Sequence, residues 1–105
     1  MYHSLPFDAM SWQQGGHALE RKKSDPETPV TLLEFAPGFA DPNWCERSHS
    51  GYVLSGTLRM EYDEPTREQA DYAEGQGFHI GLGTRHRASN PGDVPVRVFI
   101  VSSGA

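Results

Sequence analysis

The stretch Gly75-Gln76-Gly77-Phe78-His79-Ile80-Gly81-Leu82-Gly83-Thr84-Arg85-His86-Arg87-Ala88-Ser89-Asn90 decides the fold of this chain. It holds two short runs with strand character, residues 77–80 and 86–89. Gly81-Leu82-Gly83 separates them, and Asn90-Pro91-Gly92 closes the second. Glycine and proline punctuate short runs in this way where turns join strands. Side chains alternate along a strand, so His86 takes one face while Arg85 and Arg87 share the other. The arginines are therefore expected to be exposed, at a position where either can meet an anionic ligand.

The same punctuation recurs on either side. After Pro95, Val96-Arg97-Val98-Phe99-Ile100-Val101 is a strongly β-branched run. Residues 57–62 alternate Leu58, Met60 and Tyr62 with Thr57, Arg59 and Glu61, the period of a half-buried strand. Further strands are expected around Tyr72, over 49–54 up to the turn Ser55-Gly56, and over 30–35 up to Pro37-Gly38. Residues 39–48, with Pro42 inside, read as a loop. Residues 1–29 read as an N-terminal arm and a hairpin-like opening strand around Gly15-Gly16. Within them, the run Glu20-Arg21-Lys22-Lys23 reads as a solvated loop or strand end. No segment carries a helical stripe. Many short strands with frequent turns imply an all-β sandwich or barrel.

Composition narrows the function classes. The chain has 105 residues, which fits one domain spanning 1–105. Its net charge of −5 argues against nucleic acid, whose phosphates need a basic surface. A single cysteine, Cys45, excludes an intrachain disulfide. No apolar stretch approaches the length of a membrane span, so a cytoplasmic protein without a membrane role is the expectation.

The quoted stretch resembles the second motif of the cupin superfamily. That motif reads Gly, five residues, Pro, one residue, Gly, two residues, His, three residues, Asn. Gly75, Gly81, Gly83, His86 and Asn90 match every spacing, with Gly81 where the family has Pro. The first motif is similar but altered. Gly56 ends it, and counting back puts His49 at the family's Glu, Cys45 at its second His and Asn43 at its first. Four residues instead of five separate Gly38 from Asn43. The alternative register places Pro42 and Trp44 there, whose side chains do not bind metal. The two motifs span residues 38–90.

The resemblance implies a single small antiparallel β-barrel of the jelly-roll type, pairing as a homodimer through edge strands. The N-terminal segment or the 96–101 strand is the expected edge. It also implies that the first-motif ligands and the second-motif His converge on one divalent ion, in the family usually Zn, Fe, Mn, Ni or Cu. Here the metal ligands would be His49, His86 and Cys45, a set whose imidazole and thiolate donors suit Zn, Cu and Fe(II). Cys45 has two other readings, a small buried apolar residue and a redox-sensitive thiol. Additional pocket candidates are Asn43, Glu46 (the carboxylate in place if the register shifts by one), His79, Trp44, Tyr52 and Phe78. His79 joins the site if it faces inward and is a surface residue if it faces outward. Of the family's usual three His and one carboxylate only His86 is kept, so no family activity carries over. The expected function is a small cupin with a divalent-metal site, which can serve a metal-dependent enzyme acting on a small organic molecule. The alternative is a non-catalytic, metal-free cupin that binds a small ligand or regulates a partner.

Overall fold

The computed structural model describes residues 1–63 and 66–103. Among these the regular structure is entirely β: β1 (Gln13–Gln14), β2 (Glu20–Ser24), β3 (Val30–Phe35), β4 (Ser48–Ser55), β5 (Thr57–Tyr62), β6 (Glu68–Ala73), β7 (Gly77–Ile80), β8 (His86–Ser89) and β9 (Val96–Ser103). No helix among the described residues is long and apolar enough to cross a membrane. The strand boundaries follow the punctuation of the sequence. Gly56, between β4 and β5, has φ +77°, and a Cβ there would stand 2.7 Å from the Pro95 carbonyl oxygen. Only glycine satisfies both the left-handed backbone and the close approach.

The strands form two antiparallel sheets. One runs β1-β2-β3-β9-β4-β7, the other β6-β5-β8. The alternation noted in the sequence sets their inner faces. Leu58 and Met60 on β5 meet Val53 on β4 and Val96 and Val98 on β9, and all are buried. Phe39, from the segment after β3, stacks on Phe35 with ring centroids 4.1 Å apart. Each such side chain removed from water contributes about 1.5–3 kcal/mol.

Two expectations are corrected. The sheets do not close into a barrel. The segment after Gly38 runs beside β8 but meets it only at isolated bridges, Ala40↔Ser89 and Cys45↔His86. Between the bridges stands Pro42, which has no N–H to give a ladder, and residues 41–44 loop away. The second correction concerns the 96–101 strand. β9 lies between β3 and β4 and is hydrogen-bonded on both sides, so it offers no edge to a second copy. The end strands are β1 and β7 in the larger sheet and β6 and β8 in the smaller.

The N-terminal arm crosses the outer face of the larger sheet. Phe7 meets Phe99 edge-to-face at 6.2 Å, and the Lys23 Nζ donates to the Phe7 carbonyl at 2.6 Å. On the same face Glu34 accepts from Arg21 on β2 and Arg97 on β9, each at 2.7 Å, tying three strands together. Trp12 lies over Arg21 at 4.2 Å and over Arg97 at 5.4 Å.

Candidate metal centre and its cavity

His49 on β4 points to the inner face because Ser50 beside it points out. His86 does the same on β8, next to Tyr62 of β5 in register. Cys45 is placed by the backbone. Its N–H donates to the His86 carbonyl at 2.8 Å, and the His86 N–H returns to the Cys45 carbonyl at 2.9 Å. Residues that exchange both bonds in an antiparallel pair carry their side chains on one face. The three side chains therefore meet, with their donor atoms all within 4.8 Å of one another.

Hydrogen bonds orient both imidazoles. Nδ1 of His86 donates to the Thr84 carbonyl at 2.8 Å, which leaves the Nε2 lone pair free. Nδ1 of His49 is 2.8 Å from the Ser102 hydroxyl, while its Nε2 is 3.5 Å from the Cys45 Sγ. Burial pushes the His49 imidazole down to about 4, and the nearby His86 and Arg47 add to the effect. His49 is thus neutral near neutral pH, the form that can donate a lone pair. The two rings stand edge-to-face with centroids 5.2 Å apart.

The donor set fits a divalent ion. Tetrahedral zinc, with a bond of about 2.3 Å to sulfur and about 2.05 Å to nitrogen, requires an S···N edge of about 3.6 Å. The Cys45–His49 separation of 3.5 Å matches that edge, and the three donor atoms all lie within 4.8 Å of one another. Carbonyl and hydroxyl partners on the far nitrogens are what hold metal-ligating imidazoles in place.

The cluster lies in the wall of a cavity of about 280 Å³ between the sheets. Leu33, Phe35, Met60, Phe78 and Ile100 give it an apolar surface. Phe78 is held over Gly51, where a Cβ would come within 2.3 Å of its ring. Glu20, Lys22, Asp41 and Arg87 also reach the cavity.

The other expected pocket residues are placed elsewhere. Asn43 is exposed, and its backbone N–H donates to Asp41 Oδ1 at 2.9 Å. Glu46 is exposed, so no carboxylate from that position joins the cluster. His79 faces outward, with its Nδ1 2.8 Å from the Ser50 hydroxyl. Tyr52 is 47% exposed on the outer face of β4. Trp44 is half-buried outside the cavity beneath the guanidiniums of Arg87 (4.3 Å), Arg67 (5.1 Å) and Arg85 (5.3 Å). Only Phe78 of this group lines the cavity.

Several partners were not found in the sequence. Ser102 stands 53 positions from His49, and no local pattern links them. The charges of the 20–23 run predict a solvated loop or strand end, yet Glu20 and Lys22 alternate with Arg21 along β2 and take the inner face. The period of two along a strand carries that assignment.

A family model described as "Cupin domain" matches residues 31–102. Among solved structures, the chain is similar to the cupin domain of Drosophila melanogaster CENP-C. Identity is 14%, coverage is 91% of this chain and 77% of that one, and the TM-score is 0.75. It is similar to KdgF from Halomonas sp. at 19% identity over 93% of this chain and 92% of that one, TM-score 0.73. A sugar phosphate isomerase of the cupin superfamily from Silicibacter pomeroyi is 15% identical over 98% of this chain and 76% of that one, TM-score 0.76. None of the curated proteins matches the chain.

Proposed function

The chain belongs to the cupin superfamily, and from the geometry of its site we propose that it is a metal-dependent enzyme acting on a small organic molecule, its divalent ion held by Cys45, His49 and His86. One observation carries the reading: a thiol and two imidazoles converge in the wall of a cavity, each imidazole turned by a bond to its other nitrogen. The thiolate favours Zn, Cu or Fe(II) over the harder Mn. Cys45, His49 and His86 would hold the ion, and it would supply Lewis-acid chemistry toward a ligand oxygen. The chain's own residues do the rest. Ser102 and Thr84 fix the imidazoles, Phe78 and Met60 exclude water, and the apolar walls hold the body of the ligand. The cupin neighbours support the fold alone, since each is under 25% identical.

The test is metal analysis of the purified wild type and of Cys45→Ser, His49→Ala and His86→Ala. The wild type is expected to carry about one ion per chain, and each variant to lose it. A wild type that stays empty after supplementation refutes the reading. Retention of the ion in all three variants shows that the ligands lie elsewhere. The apolar cavity walls favour a second reading, a metal-free cupin that binds a small ligand without catalysis. Ligand binding by metal-free protein would support it. A homodimer through a sheet edge fits either reading, with β1 or β7 as the edge.

A further inference from the structure

Apart from the metal cluster, four charged residues line the cavity: Glu20, Lys22, Asp41 and Arg87. Three are already engaged by the protein. Glu20 Oε2 accepts from the Gly16 N–H at 3.3 Å, and the side chain folds back so closely that a Cβ on Gly15 would stand 2.5 Å from its Cγ. Asp41 Oδ1 accepts from the Asn43 N–H at 2.9 Å. Arg87 gives two hydrogen bonds to Glu61 Oε2, at 3.0 and 3.1 Å. Lys22 is different. It sits between Gln13 and Leu33 in register on the inner face of β2, and among the described residues its ammonium makes no ion pair or hydrogen bond.

An ammonium beside an apolar wall, partly withdrawn from water, attracts an anion more strongly than one in bulk solvent. The remaining wall is Leu33, Phe35, Met60, Phe78 and Ile100. The volume of about 280 Å³ is that of about nine water molecules in the liquid, enough for a ring or a short branched chain. One ammonium matches one negative charge. A doubly charged phosphate would leave its second charge against Glu20 and Asp41.

We infer that the cavity takes a small, mainly apolar monocarboxylic acid, with the carboxylate on Lys22 and the hydrocarbon body against the apolar wall. This rests on the cavity being the ligand site, as proposed above, and does not depend on the ion. Lys22 is a binding residue here, and the proposal includes no covalent step.

The experiment is titration calorimetry with benzoate, phenylacetate and hexanoate, each against its neutral primary amide. The protein is the wild type, Lys22→Met or Lys22→Arg. In the wild type at least one acid binds about tenfold more tightly than its amide, the size of one hydrogen bond between charged groups. Lys22→Met abolishes that preference by weakening the acid far more than its amide, with metal content unchanged, and Lys22→Arg retains it. Equal binding of every acid and its amide, no binding of any acid, or an undiminished preference in Lys22→Met overturns the inference. A preference that survives in protein shown to hold no metal supports the inference while refuting the metal reading, so the two fail separately.

Discussion

Glu34 is a buried carboxylate between two half-exposed guanidiniums, and replacing it with glutamine tests how the outer face of the larger sheet is held. Its side chain is 11% exposed, against 46% for Arg21 and 47% for Arg97. A hydrogen bond to a charged group is worth about 1.5–3 kcal/mol when shielded. The exposure of both guanidiniums screens each pair, so about 1 kcal/mol per bond is the better figure. Glutamine keeps one acceptor without its charge and turns an NH2 toward the second arginine, so neither charge-assisted bond survives. Glu34→Gln is therefore expected to cost about 2 kcal/mol at neutral pH, or about 8–16 °C in Tm for a domain near this size. Burial raises the Glu34 carboxyl, but the bonds from Arg21 and Arg97 outweigh it and hold the group below its ordinary value of 4.5. Its stabilisation is thus full above 4.5 and is lost as pH falls through the lower folded value. Glutamine does not titrate. Urea unfolding of both proteins across pH should show a gap that is constant above about pH 5.5 and narrows below 4.5. A gap under about 0.5 kcal/mol at neutral pH, or one that keeps its full size to the acid limit of folding, would refute the reasoning.

Three further outcomes are expected. Asn90 is buried, its Nδ2 donates to the Phe35 and Val94 carbonyls and its Oδ1 accepts from the Gly92 N–H. Asn90→Ala should destabilise by about 3 kcal/mol in chemical denaturation, one unit for each lost bond. Ser102→Ala frees the His49 ring and should weaken metal affinity by about 10–100-fold in competition with a chelator, with Tm of the metal-free protein little changed. Gly51→Ala drives the Phe78 ring into the cavity and should abolish binding of any ligand that fills it, while metal content stays as in the wild type. Unchanged ligand affinity in that variant would place the ligand outside the cavity.

The strands were legible because their cues are local. Leu58, Met60 and Tyr62 alternate with polar residues, and β5 spans the residues that the alternation marks. The 86–89 run needed only its flanking turns. Which strands neighbour one another was less legible, since alternation assigns faces and not partners. The closed barrel failed for that reason, as did the expected free edge at 96–101, a run so apolar because it is central. The cluster was legible in part. Spacing put His49, His86 and Cys45 at motif positions, and the structure brings them together. Spacing also put Asn43 there, yet Asp41 captures its backbone in a turn and the side chain leaves the cavity. Lys22 was hidden by its neighbours, because a charge-rich stretch reads as solvated even when every second residue faces inward.

The two bridges beside β8 divide the 39–47 segment into parts with different freedom. Four residues, Asp41 to Trp44, lie between the bridging positions on one side, facing two, Arg87 and Ala88, on the other. The surplus is taken up by a surface loop, where a change in length costs little closure entropy. The four-residue interval between Gly38 and Asn43, one short of the usual motif, falls in this tolerant part. From Cys45 onward the chain has no such slack, because the bridge at His86 and the start of β4 fix both ends of the turn to His49. Insertions and deletions should therefore accumulate before Cys45 in the chain's descendants and be purged after it, so that the 45–49 interval keeps its length while the loop in front of it drifts.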